Sequence, residues 1–209
     1  MKKYILVSFI FISFMGFAQN DETFVDALVN QKLAELEMQQ HPEYFLRKNY
    51  CEGNVQMFVM PNGKHCASKG TYYSVFVFWK EGEDVMKVQK FDNCGKFAPI
   101  PIAMGKNIKK ILKDKETLKT EEVKPFKSEK VDENAFDNMS VTSCHTAYKF
   151  VLAQEVIEKW FSEFDLTNSS KNKNVNADHN KSLLIIKLDK DLSEMIKHFE
   201  ETGTFVRQN

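Results

Sequence analysis

The chain has 209 residues, with 29 basic and 29 acidic side chains and no formal net charge. That balance excludes a general nucleic-acid binder, which gathers basic excess on one face, and only Arg47 and Arg207 are present to grip phosphate bidentately. Four cysteines and the absence of any run of about 18 apolar residues bound the rest: a water-facing chain whose thiols need explaining.

Met1-Lys2-Lys3, an apolar run from Tyr4 to Phe17, and small Gly16 and Ala18 at the −3 and −1 places have the build of a secretory signal peptide. These fourteen residues, apolar but for Ser8 and Ser13, make roughly 21 Å of helix against a bilayer core of about 30 Å, so the reading is a cleaved leader over residues 1–18 and not an anchor. Cleavage before Gln19 leaves 27 basic against 29 acidic residues over 19–209, a net −2, read as a single domain with no membrane contact after cleavage. The expected location is periplasmic or extracellular.

Asn20, Asp21 and Glu22 suit a helix start, and Val25, Leu28, Val29, Leu33 and Leu36 recur at helical spacing, so residues 21–40 are expected as a helix ended by His41-Pro42. Val55 to Met60 reads as a strand followed by a Pro61-Asn62-Gly63 turn. Thr71 to Lys80, the Glu81-Gly82-Glu83 turn and Asp84 to Asp92 form the clearest hairpin. Its first strand is apolar on both faces, Val75, Val77 and Trp79 on one and Phe76 and Phe78 on the other, which marks a central strand covered on both sides.

Asn107 to Leu118 is expected as a lysine-faced amphipathic helix, and 119–138 as a charged surface loop. Tyr148 to Phe164 reads as a long helix, with Phe150, Ala153, Ile157, Trp160, Phe161 and Phe164 on one buried face over the central strand. Residues 167–181, rich in Asn, Ser and Lys, read as a flexible loop with little to bury. Ser182 to Leu188 reads as a short strand, and Asp189 or Asp191 as the cap of a last helix closed by Gly203. The expected fold class is α+β: an antiparallel sheet of three to five strands, with the hairpin at about 71–92 in its centre, packed by helices.

In an exported chain four cysteines are read first as two disulfides. A turn centred on Gly82 sets Cys94 opposite Gly70, close to Cys66, which favours Cys66–Cys94 and leaves Cys51 for Cys144. The competing reading takes Cys144 as a nucleophile assisted by His145 or His65, since a neighbouring imidazolium lowers a thiol pKa. Cysteine spacings of 15, 28 and 50 do not suit a metal site, and no cofactor motif is present. Tyr72, Tyr73 and Trp79 are candidates for lining a ligand pocket. The nine lysines against five acids over 106–130 read as a solvated face. Asn138, Asn168 and Asn180 open glycosylation triplets. Without a nucleophile elbow, zinc-protease motif, P-loop or dinucleotide fingerprint, and with no family resemblance, the sequence points to an exported, disulfide-stapled protein that binds another protein or a small ligand. An envelope cysteine enzyme and a purely structural envelope component are the alternatives.

Overall fold

A computed structural model describes residues 22–41, 43–129, 144–153, 155–170 and 173–208. The leader, the Asn20-Asp21 start, Pro42 and the Asn138 triplet lie outside the described residues.

The first helix, α1 (Glu22–Met38), is followed by β1 (Glu43–Cys51), β2 (Met57–Val59), β3 (His65–Ala67), β4 (Tyr72–Lys80), β5 (Val85–Asp92), β6 (Gly95–Lys96) and β7 (Ile100–Ala103). Then come α2 (Lys106–Lys113), α3 (Lys115–Thr120), β8 (Cys144–Leu152), β9 (Glu155–Ser162), α4 (Glu163–Leu166), α5 (Ala177–Ser182) and α6 (Leu184–Glu201). The fold is mixed α+β. Its antiparallel sheet has seven strands among the described residues, more than the three to five expected, in the order β6-β5-β4-β1-β8-β9 with β7 also on β5. A separate ribbon pairs β2 with β3.

The hairpin of β4 and β5 forms, with Lys80 paired to Met86 and so two residues off a turn centred on Gly82, and β4 is internal to the sheet. One of its faces gives Val75, Val77 and Trp79 to a cluster with Val25, Val29 and Leu36 of α1. The other gives Phe76 and Phe78 to a larger cluster with Ile108, Ile111, Leu118 and the α6 residues Leu188, Leu192 and Ile196. The helix α1 stops when Gln40 turns left-handed (φ 59°) and the His41 and Gln40 amides bond back to Leu36 and Glu37. That hydrogen-bonded stop lies just before the proline expected to impose it.

Three expected elements are corrected. Residues 148–164 are not a helix: 144–152 and 155–162 are a hairpin, paired from His145↔Ser162 to Leu152↔Glu155. Burial of Thr146, Tyr148, Phe150 and Leu152 has period two, as a strand requires. No glycine or asparagine marks the turn, where Ala153 takes φ 60°, so the punctuation was absent. Phe161 is buried, but Trp160 is 57% exposed, and the cover of β4 on that side is α2, α3 and α6. Second, Ser182 to Leu188 is not a strand: Ser182 ends α5 and Leu184 opens α6, with Leu183, Leu184, Ile185 and Leu188 all buried, and a short apolar run does not tell strand from helix. Third, Asp189 and Asp191 lie inside α6. Its start is capped from afar by Glu121, whose carboxylate accepts from the Leu184 and Ile185 amides at 2.8 and 2.6 Å.

Over 167–181 the sequence offered little to bury, yet Asn174 and Asn180 are buried. Asn174 Oδ1 accepts from the Lys127 and Asn176 amides, and the Asn180 side chain bonds both the amide and the carbonyl of Lys124 and the Asp165 carbonyl. Amide side chains here stand in for missing strand partners. A fully buried Asn180 also rules its triplet out as a glycan acceptor in the folded chain.

Candidate functional site

Both cystines form, Cys51–Cys144 and Cys66–Cys94, and no cysteine is free. Cys51 and Cys144 are direct partners across β1 and β8, not a link to a helix start. The nucleophile candidate is therefore corrected: the Cys144 sulfur is bonded, with no helix dipole behind it. Strand alternation sends His145 to the opposite face, where its ring lies 5.1 Å from Tyr50 and stacks on Trp160 at 5.2 Å. His145 Nε2 is 3.9 Å from the Glu52 carboxylate, and Nδ1 is buried without a hydrogen bond. His65 is exposed on β3.

The aromatic candidates separate. Tyr72 is buried on the α6 side of the sheet, its hydroxyl donating to Asp92 Oδ2 at 3.1 Å. Tyr73 lies on the α1 side, 5.3 Å from Tyr50. Trp79 is buried under α1, with Lys32 Nζ 4.4 Å over its ring and its indole N–H donating to Glu81. Of the three, only Tyr72 reaches the polar cleft on the α6 side.

That cleft, of about 570 Å³, lies between the sheet, the β2–β3 ribbon and the chain's last residues. Its floor carries Asn49, Tyr72, Ser74 and Lys90. Gln56 and Phe58 come from the ribbon side, and Phe199, Glu200, Phe205 and Arg207 form the far wall. The ribbon has too few residues for a core of its own, and three contacts hold it. Cys66–Cys94 ties β3 to the β5–β6 turn, Phe58 packs on Tyr72 at 5.5 Å, and the Arg207 guanidinium lies 5.3 Å from the Phe58 ring. The tail is fixed by the Phe97↔Arg207 bridge, with amides of Ala98 and Gln208 donating to Val206 and Lys96 carbonyls.

Each charged side chain that lines the cleft, Lys90, Glu200 and Arg207, has its counter-charge in or directly behind the wall. Asp92, fully buried, receives both Arg207 nitrogens at 2.7 Å, the Tyr72 hydroxyl and the Cys94 amide. Burial, with the Asp92 charge behind it, drives the Tyr72 phenol far up, so it remains a neutral donor. Lys90 donates to Glu200 at 2.7 Å, its ammonium between the rings of Phe76, Phe97 and Phe205 at 5.2–5.7 Å. What remains for a visitor is amide, hydroxyl and ring surface.

The opposite face holds a second feature. Tyr73, Tyr50, His145 and Trp160 form a row across β4, β1, β8 and β9. Between α1 and the Trp160 end lies a groove of about 600 Å³, floored by Leu46, Val75 and Ala147. A further depression of about 480 Å³ lies along β9, between Trp160 and residues 119–125. Among the described residues no group of three or more His, Cys, Asp or Glu is placed to hold a metal ion, and no helix is long and apolar enough to cross a membrane.

The sequence reading missed Asn49, Tyr50 and Trp160. Strand β1 went unread because Arg47, Lys48 and Asn49 break its alternation, and Trp160 was assigned to a buried helix face. Compared with protein-family models, curated proteins and solved structures, the chain matches none.

Proposed function

We propose that the chain is exported and acts as a binding protein whose ligand is a small, uncharged, polar molecule held between the ribbon and the C-terminal tail. The observation that carries this reading is the internal pairing of the cleft's charges, Arg207 with Asp92 and Lys90 with Glu200, which leaves no net field for an ion. Asn54, Gln56 and Ser74 offer donors and acceptors, while Phe58, Phe199 and Phe205 offer flat apolar contact. The volume falls in the range of about 300–1,000 Å³ common to small-molecule sites. Export is supported by the leader-like N-terminus and by two cystines, which persist in oxidising compartments. It is tested by sequencing the N-terminus of protein recovered from the producing cells, with Gln19 the expected first residue.

Saturation-transfer NMR with a panel of uncharged saccharides, nucleosides and capped dipeptides tests the cleft. At least one class should bind wild type, and Ser74→Leu should weaken it by about tenfold through lost volume and a lost hydroxyl. Opening the Cys66–Cys94 staple with a Cys66→Ala/Cys94→Ala variant should weaken it while the far-ultraviolet spectrum of the sheet persists. Binding unchanged in both variants, or no binder in the panel, overturns the reading.

A further inference from the structure

We propose that the outer edge of β9 is a docking site for an extended polypeptide segment, which adds to the sheet as its next strand. This is independent of the cleft on the other face. Strand β9 ends the sheet, and its eight residues pair with β8 in one unbroken register. Among the described residues no backbone group pairs with its outer side. A row of N–H and C=O groups at strand spacing is complementary to another backbone, and no other ligand class matches it as well.

Natural sheets blunt such an edge with a proline, a bulge, or charges that project across it. Here β9 has no proline and no bulge, and two of its three charged side chains, Glu155 and Lys159, are drawn back into the protein. Glu155 is held by Lys115 and Lys119 at 2.9 and 3.0 Å. Glu158 leans toward Lys149 on β8, at 4.0 Å. Lys159 donates to the Lys119 and Glu121 carbonyls at 3.0 and 2.5 Å. Apolar side chains are left outward instead: Val156 and Trp160 are 58% and 57% exposed, two positions either side of Glu158 on the α1 face.

On the α1 side an added strand runs alongside Val156 and Trp160, and on the other side it borders the depression by residues 119–125, where Glu121, Glu122 and Asp165 outnumber Lys119 and Lys159. The segment that fits has apolar residues at every second position, to meet Val156 and Trp160, and polar or basic residues between them. A second copy of this chain fits less well. The antiparallel register that sets Trp160 against Val156 of the other copy also sets Glu158 against its own counterpart, and directly opposed like charges destabilise a strand pair.

The test pans a displayed library of random ten-residue peptides on the native full chain, with Trp160→Ala as counter-target. Enriched peptides should show apolar residues at alternate positions and bind Trp160→Ala at least tenfold more weakly. N-methylation of alternate amides in a synthetic binder should abolish binding in one parity and leave it unchanged in the other, because only every second amide faces the edge. Val156→Lys, an exposed change that leaves the core intact, should weaken binding in the same way. The proposal is overturned if nothing enriches over the counter-target, or if methylation is without effect in both parities or abolishes binding equally in both. It is also overturned if the chain elutes as a dimer that Val156→Lys dissociates, since the edge then belongs to a second copy.

Discussion

Trp79 and Trp160 lie on the same face of the same sheet, yet Trp79 is 3% exposed and Trp160 57%. The difference lies in what covers them. A helix is about 10 Å across and adjacent strands are about 4.8 Å apart, so one helix shelters about two strands. Among the described residues the α1 face has one helix, which packs chiefly on β4, β5 and β6, reaches β8 only through Val151 and leaves β9 uncovered. The opposite face is covered by α2, α3 and α6 and buries apolar residues from β5 through β9. Burial in this molecule follows the number of helices on a face, and the open half of the α1 face is where a partner can still be accommodated.

The closed face also buries charge, and breaking that arrangement should produce the largest effect. Arg47 donates to Asp189 Oδ1 at 2.8 Å, to the Tyr148 hydroxyl at 3.0 Å and to Ser193 at 2.8 Å. Burial opposes the guanidinium charge, but Tyr148 and Asp189 together hold its pKa above the ordinary value. Asp189→Ala leaves that cation buried with no counter-charge and should cost about 3–5 kcal/mol in chemical denaturation. Arg47→Leu/Asp189→Leu should recover part of the loss, because the uncompensated charge is then gone. A loss under about 1 kcal/mol for Asp189→Ala would mean that α6 is docked by its apolar residues alone. On the covered half of the α1 face, Trp79→Ala should cost a similar amount, about 3–5 kcal/mol, as a core cavity.

How much of this was legible in the sequence depended on whether period and punctuation agreed. For β4 and β5 they did: branched and aromatic residues ran between two glycine-bearing turns, and both strands and the two apolar faces of β4 were readable, though the buried Gln89 and Lys90 made β5 look half-exposed. A register counted from Gly82, two residues off the observed one, still led to both cystine pairings. For residues 148–162 the apolar positions fit a helical face and a strand pair equally, and an Ala153 turn gave nothing to choose between them. Strand β1 hid because a buried Arg47 reads as surface until its partner, 142 residues away, is known. The Glu121 cap of α6 and the buried Asn174 and Asn180 are likewise long-range pairings that no local window contains. The cleft was legible only through Tyr72, because its other walls come from β1, the ribbon and the tail, which meet only in the fold.

An intermediate effect is read by pH. Tyr72 and Tyr148 are both buried on the α6 side, and burial, reinforced by Asp92 and Asp189 respectively, raises each phenol above its ordinary value near 10. The folded state therefore keeps protons that the unfolded chain releases. Stability is fully present below about pH 10 and falls as the pH rises above it. Denaturation curves at about pH 8 and about pH 11 should show that fall, and Tyr148→Phe should flatten it. Tyrosinate absorbance in the folded protein should likewise lag behind that of the unfolded chain.

The smallest effect is expected on the open half. Trp160→Ala removes a large side chain, but one that is mostly in water already and packs chiefly on His145. An exposed substitution of this kind should change stability by no more than about 0.5 kcal/mol, against about 3–5 for its counterpart Trp79. The two indoles are the only tryptophans in the chain, so acrylamide quenching reads them separately: Trp160→Phe should remove the quenchable component and leave a shielded one. A large stability loss on Trp160→Ala would mean that the row Tyr73, Tyr50, His145 and Trp160 acts as a structural brace for β9. A small loss joined to weakened peptide capture assigns Trp160 to recognition, because a side chain that contributes little to folding and much to binding is one the fold has left for a partner.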